Sequence, residues 1–332
     1  MNIRFGIIGT NWITERFIQA AREAEGFELT AVYSRTQEKA DDFAAKHGIA
    51  HTFIDLEEMA RSGELDAVYI ASPNSYHAKH AVLCMSHGKH VLCEKPAASN
   101  TAELKQMIEA ASQHNVVFME ALKSTLLPSF QSITEHLPEI GKVRRYFANY
   151  CQYSSRYDAY KAGQVLNAFN PIYSNGALMD LGVYCIYPLI VLFGEPKEIR
   201  ATGMLLESGV DGQGSLVARY EEMEAVVMYS KISQSSIPSE IQGEAGSIVI
   251  DSISDPQKIE IQYRDGRIQD ISRPADRPTM YYETQVFMDL IRSKQTESTV
   301  NSHANSLAVM AVLDEARKQQ GLVYPADINE MN

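Results

Sequence analysis

Long apolar runs are missing from this chain of 332 residues. None reaches the ~18 consecutive apolar residues of a membrane-spanning helix. The longest, Val183–Phe193, is interrupted by Pro188 and reads as a buried helix. The N-terminal stretch lacks a charged-then-apolar export pattern, because its apolar run Ile3–Ile8 is only strand length. Basic charge is scarce as well: 30 Lys and Arg against 42 Asp and Glu leave a net charge of −12. Nucleic acids and anionic membrane surfaces are held mainly by Lys and Arg, so neither is an expected partner. The four cysteines, Cys84, Cys93, Cys151 and Cys185, form no C-x-x-C and no zinc spacing, and no N-x-[ST] acceptor occurs. These absences point to a reduced, cytoplasmic compartment.

A complete dinucleotide fingerprint is absent too. After Ile3–Ile8 comes "GIIGTNWITERF", Gly6 to Phe17, in which only Gly9 matches G-x-G-x-x-G. The second glycine, which normally lets backbone approach a pyrophosphate, is Asn11; the third, which permits close helix–strand packing, is Thr14. Asparagine is the least costly non-glycine residue at positive φ, and its amide can donate to a phosphate oxygen. Asn11 is therefore expected at positive φ, with Gly9, Thr10, Asn11, Trp12 and Ile13 framing the phosphates. The plainer alternative is a strand–turn–helix that binds nothing.

What is present is alternation. Apolar, β-rich runs at Ile3–Ile8, Leu29–Tyr33, Ala67–Ile70, His90–Cys93 and Val116–Met119 are separated by helical patterns at Arg35–His47, Ser75–His87 and Thr101–His114. That order implies a parallel, doubly wound sheet with helices on both faces, and ligands at the carboxyl ends of its strands. From about Gly141 strand-like pieces follow one another: Val143–Tyr150, Ile199–Leu206, Ser215–Tyr220, Ala225–Ile232, Ser236–Gln242 and Ser247–Asp251. Helical patterns interrupt them at Ala177–Phe193, Tyr281–Ser293 and Ser302–Gln320, and Pro128 leads a further helix. The fold class expected is α/β: a Rossmann domain over residues 1–121, then an α+β domain over 122–332 with a large, mostly antiparallel, open-faced sheet.

The strand ends carry the chemistry. "AVYSRT" puts Ser34 and Arg35 where an NAD-binding fold shows an acid about twenty residues past the loop. Serine plus arginine reverses that electrostatics and suits the 2′-phosphate of NADP, although Arg35 could equally be a solvated first-turn residue. "ASPNSYH" breaks the next strand with Ser72, Pro73 and Asn74 before His77, a turn able to reach a bound dinucleotide. His77, His80, His87 and His90 make two H-x-x-H pairs, but no carboxylate or cysteine set completes them and no metal is expected. "KHVLCEKPAAS" ends the following strand on Glu94, Lys95 and Pro96, and a lysine there can hydrogen-bond a substrate hydroxyl and adjust its acidity. "GALMDLGVYCIY" places Asp180 and Tyr184 one helical turn apart on one face. Each has a plainer reading, as strand-end ion pair, first-turn acid or core aromatic.

Together these residues resemble the Gfo/Idh/MocA family of NAD(P)-dependent oxidoreductases over essentially the whole chain. The carriers are GIIGTNWI, AVYSR, SPNSYH, CEKP, GALMDLGVY and the tail SHANSLAVMAVLDEARKQ. The resemblance implies Glu94 near the nicotinamide ribose, Lys95 at the reacting hydroxyl and a cis Lys95–Pro96 bond. Tyr184, where inositol dehydrogenases carry histidine, looks like the branch of glucose–fructose oxidoreductases, xylose dehydrogenases and dimeric dihydrodiol dehydrogenases. In "MEALKSTLLP" the chain departs from that branch's M-E-A-x-W-x-R-F-x-P: Lys123, Thr125 and Leu126 replace Trp, Arg and Phe. Lys123 is thereby a candidate substrate residue for a carboxylate or phosphate, or a solvated lysine at the cleft rim.

The function expected is hydride transfer between NADP (or NAD) and a secondary alcohol of a sugar, polyol or related molecule. Lys95 and Tyr184 would handle the proton, with Asp180 orienting Lys95 or the substrate hydroxyls. A phenol of ordinary pKa ~10 is a poor base at neutral pH, and a nearby ammonium favours its phenolate. The expected assembly is a homo-oligomer, dimer or tetramer, through the C-terminal sheet. Two rivals stand beside this reading: a redox-neutral glycosidase or lyase with retained NAD, and a nucleotide-binding regulator without catalysis.

Overall fold

The computed structural model describes residues 1–328. The chain divides into two compact units, and the division is not a single cut. One unit is Met1–Lys123 with Arg277–His303; the other is Ser124–Asp276 with the chain from Ala304 onward. The expected boundary between residues 121 and 122 lies within two residues of the first crossing, but residues 277–303 return to the first unit. The reason is packing. The helix Met280–Ser293 buries Phe287, whose ring stands 5.9 Å from that of Phe5 in the first strand.

The first unit is a six-stranded sheet in the order β3-β2-β1-β4-β5-β6, parallel throughout. Its strands are β1 Ile3–Ile8, β2 Phe27–Tyr33, β3 His51–Phe53, β4 Ala67–Ile70, β5 His90–Glu94 and β6 Phe118–Ala121. β4 is buried at every position, as helices on both faces of a parallel sheet require. The three-residue edge strand β3 and the short helix Leu56–Arg61 that follows were not anticipated, because neither is long enough to show a period. The order reverses between β1 and β4, so the crevice at their carboxyl ends is the switch point of the sheet.

The second unit is built on eight strands: β7 Val143–Cys151, β8 Glu198–Leu205, β9 Asp211–Arg219, β10 Glu224–Ser230, β11 Ser239–Gly243, β12 Gly246–Ile250, β13 Ile259–Tyr263 and β14 Ile268–Asp270. Their order is β14-β13-β12-β11-β7-β10-β9-β8, and only the β7–β10 pair is parallel. Burial alternates along β10, with Ala225, Val227 and Tyr229 turned inward, the signature of a sheet covered on one face. The helix Val183–Phe193 packs there, with Val183 and Cys185–Ile190 buried. The helical run Pro171–Phe193 is long and apolar enough by composition to cross a membrane, yet 72% of its apolar window is buried within the protein. It is core.

Candidate active site

The first loop answers the glycine question differently from the sequence expectation. Gly9 alone needs its glycine: φ is +111°, and a Cβ would sit 2.6 Å from the carbonyl oxygen of Ala71, at the end of β4. Asn11 is not at positive φ. It has extended backbone (φ −122°) and serves as N-cap of the helix Trp12–Ala21. Its Oδ1 accepts from the N–H groups of Ile13 (3.1 Å) and Thr14 (3.2 Å), and its Nδ2 donates to Ala71 O at 2.7 Å. Asparagine therefore belongs to the cap preference of helices, not to the left-handed region. Thr14, fully buried, donates its hydroxyl to Gly9 O at 2.7 Å, closing the turn where glycine is usual. Thr10 and Ile13 are half-buried and Trp12 is exposed.

At neighbouring strand ends, Ser34 is buried and Arg35 exposed. Ser72, Pro73 and Asn74 are half-buried in the turn after β4. His77 ties that turn to the end of β5: its Nε2 lies 2.7 Å from Ser72 O and its Nδ1 2.9 Å from Pro96 O. A neutral imidazole has one N–H and can donate to only one of these carbonyls. Burial nevertheless holds the His77 pKa below its ordinary value, against the pull of both carbonyls. The Lys95–Pro96 bond is cis, as the resemblance implied. His80 and His90 are also engaged within the fold. His80 Nδ1 meets Ser72 Oγ at 3.1 Å, and His90 Nδ1 accepts from Val117 N at 2.9 Å. Among the described residues no three His, Cys, Asp or Glu side chains cluster to hold a metal ion.

His80 makes stability depend on pH. Burial, with the charges of His77 and Lys79, lowers its pKa from 6.5 to about 4. The folded state then binds fewer protons than the unfolded one between those values, so stability rises with pH there. The contribution is complete above the unfolded pKa of about 6.5 and lost as pH falls toward 4. Thermal melts between about pH 6.5 and 5, above most carboxylate titrations, should shift downward with acid, and His80→Gln should flatten that slope. An unchanged slope in His80→Gln would remove His80 from the account.

Glu94 ends β5 as a buried carboxylate. It accepts the hydroxyl proton of Tyr69 and, through Oε2, the N–H of Lys95 at 3.2 Å. Burial raises its pKa, while Tyr69, Lys95 and Lys123 pull it back. Lys95 itself is half-buried. The structure adds an acid that the sequence reading passed over: Glu283, fully buried on the helix Met280–Ser293, with neither carboxylate oxygen hydrogen-bonded. Burial and the charge of Glu94 push its pKa up, while Lys123 pulls it back. Lys123, the candidate substrate residue, donates to Thr279 Oγ1 at 3.0 Å and acts electrostatically on both Glu94 and Glu283. Helical periodicity carried the signal for Glu283, which shares the buried stripe of Met280, Thr284 and Phe287.

In the second unit Asp180 lies on a π-helical turn, Leu178–Gly182, that leads into the helix bearing Tyr184. Such turns recur at functional sites. Both side chains are half-buried. Tyr184 stands edge-on to Tyr150 of β7, ring centroids 5.6 Å apart at 75°. Asp180 Oδ2 pairs with the ammonium of Lys231 at 2.9 Å, a partner within its own unit. Here too the signal was in the pattern. Lys231 continues the inward alternation of Ala225, Val227 and Tyr229, and so falls on the covered face.

A doubly wound parallel sheet with a glycine turn at its switch point defines the class as a dinucleotide-binding Rossmann fold. The chain matches two family models: "Oxidoreductase family, NAD-binding Rossmann fold" over residues 3–122, and "GFO/IDH/MocA C-terminal domain" over residues 138–249. It belongs to the GFO/IDH/MocA family and is an NAD(P)-dependent oxidoreductase. It is 58% identical to a scyllo-inositol 2-dehydrogenase (NADP(+)) of Bacillus subtilis, covering 98% of this chain and 99% of that one. Against a trans-1,2-dihydrobenzene-1,2-diol dehydrogenase of Xenopus tropicalis identity is 30%, covering 98% and 100%. A levoglucosan dehydrogenase solved with NADH and levoglucosan superposes with a TM-score of 0.86 at 21% identity, covering 97% and 98%, and speaks to the fold.

Proposed function

We propose that this enzyme interconverts a secondary alcohol of a cyclic polyol or sugar with its ketone, with NADP preferred over NAD. The observation that carries the reading is Asp180 and Tyr184, a carboxylate and a phenol one turn apart on one helix and both within reach of solvent. The 58% identity to an NADP(+)-dependent scyllo-inositol dehydrogenase supports it.

The dinucleotide fits the residues present. Gly9 leaves backbone against Ala71 with no room for a Cβ, and the cap at Asn11 presents a helix N-terminus beside it. Thr10, Trp12 and Ile13 flank the phosphates in this reading, Ser34 and Arg35 take the 2′-phosphate, and Ser72, Pro73, Asn74 and Glu94 line the rest. His77, with both ring nitrogens against carbonyls, acts by holding the turn in place. When bound, the cofactor supplies the hydride acceptor or donor. The chain's own residues move the proton: Lys95 and Tyr184 share the substrate hydroxyl, and Asp180 orients it. Lys123 is the remaining substrate candidate. A uronate and a sugar phosphate belong in the substrate panel, since neutral sugars outperforming them would assign Lys123 to Glu94 and Glu283 alone.

Two experiments test this. A panel of scyllo-inositol, myo-inositol, glucose and xylose with NADP+ and NAD+ should give net nicotinamide reduction, fastest with NADP+ and a cyclic polyol. No absorbance change with any member overturns the reading, and turnover without net reduction points to the redox-neutral rival. Arg35→Ala should weaken NADPH binding by about 1.5–3 kcal/mol, the scale of a charge-assisted hydrogen bond, and leave NADH binding nearly unchanged. Equal calorimetric losses for the two cofactors would remove Arg35 from the 2′-phosphate.

The same reading extends to assembly and compartment. A dimer or tetramer through the eight-stranded sheet is supported by the exposed apolar side chains Met204, Leu205 and Val217 on β8 and β9. A reducing cytoplasm is supported by four free cysteines.

A further inference from the structure

A buried ammonium is rare unless it is fully partnered, and Lys231 is one that the scheme above leaves unused. Its backbone is pinned on both sides, the N–H donating to Gly212 O at 2.8 Å and the carbonyl accepting from Ser154 N at 2.9 Å. The side chain brings three N–H donors to three acceptors: Asp180 Oδ2 at 2.9 Å, Ala168 O at 3.1 Å and Asn175 Oδ1 at 3.4 Å. The ring of Phe169 lies 5.3 Å from the ammonium. Of these partners only Asp180 is charged. Asp211, buried nearby, feels the ammonium, but its Oδ2 accepts from Leu178 N at 2.7 Å, at the start of the π turn.

Exposure decides which member of the pair meets the substrate. The Lys231 side chain is 3% exposed and that of Asp180 38%, so Lys231 can influence chemistry only through its partner. We propose that Lys231 is a positioning residue for the reaction. It holds the Asp180 carboxylate in one orientation on the π turn, one turn before Tyr184, and joins that turn to the segment carrying Ala168 and Phe169. The assignment rests on the polyol reading of Asp180. A neutral residue at 231 removes the ammonium anchor from the carboxylate, and a misplacement of about 1 Å in an orienting group costs on the order of 10²-fold.

The test compares wild type, Lys231→Met, Asp180→Asn and the double variant. Each is assayed on scyllo-inositol with NADP+, or on whichever panel polyol the wild type oxidises fastest, alongside NADP+ titration and thermal melting. Lys231→Met should lower kcat/KM for the polyol about 10- to 100-fold with NADP+ affinity unchanged. In the Asp180→Asn background the same replacement should change kcat/KM by less than about threefold, because its effect passes through Asp180. Asp180→Asn, which leaves the ammonium buried without its anion, should melt below the double variant. Should Lys231→Met fail to fold, Lys231→Gln takes its place in both backgrounds, so that all four corners of the cycle are measured. Equal losses in the two backgrounds, or full activity in Lys231→Met, overturn the proposal while the polyol reading stands. A wild type inactive on every polyol overturns both.

Discussion

Tyr184→Phe should lower kcat by about 10²- to 10⁴-fold and leave cofactor affinity largely intact, the usual range for a general acid–base group. A secondary alcohol releases its carbinol hydride readily only as its hydroxyl proton is taken, so a proton acceptor must stand at that oxygen. Phenylalanine keeps the ring and with it the edge-on contact to Tyr150. Lys95→Met should fall in the same range. The Lys95 backbone, which donates to Glu94, is unaffected by the change of side chain. The double variant should be little worse than the worse single one, since groups that act as a unit are not additive. Nearly full kcat in Tyr184→Phe on the best substrate would send the proton elsewhere and leave Lys95 as the acceptor.

Gly9→Val is expected to be the most damaging change in the loop, and worse than any change at Asn11. At φ +111° a β-branched residue is strained, and its Cβ would meet Ala71 O at 2.6 Å and Ala71 C at 2.8 Å, both backbone atoms that cannot swing aside. Strain and the forced separation of β1 from β4 together should cost about 3–5 kcal/mol and abolish measurable NADPH binding. Asn11→Ala loses a helix cap, about 1 kcal/mol, and the tether to Ala71, about another 1 kcal/mol. Denaturant unfolding with and without NADPH separates the two. Comparable losses at both positions would mean that the close approach at Gly9 is relieved by backbone movement.

The contrast between Gly9 and Asn11 shows what a sequence pattern can misplace. Asn11 occupies the second glycine position, so positive φ was the natural expectation, yet the same residue type caps helices, and the cap prevailed. Local patterns were reliable where they were long. The strands β1 and β4 and the helix Thr101–His114 fall where the apolar runs and the helical pattern place them, and the structure closes that helix with Asn100 as cap and Asn115 as left-handed stop. They failed at β3 and β14, three residues each and too short to show a period, and passed over the five-residue β13 as well.

The strand–helix alternation, the turn residues and the one-turn spacing of Asp180 and Tyr184 by themselves determined the fold class and the candidate chemistry. These are consequences of backbone geometry over a few residues, and a linear chain records them. The return of residues 277–303 to the first unit, the isolation of Glu283 beside Glu94 and Lys123, and the pairing of Asp180 with Lys231 were decided only by tertiary structure. Each joins groups far apart in the chain. An ammonium or carboxylate carries no mark in the sequence of which distant partner desolvation will force upon it.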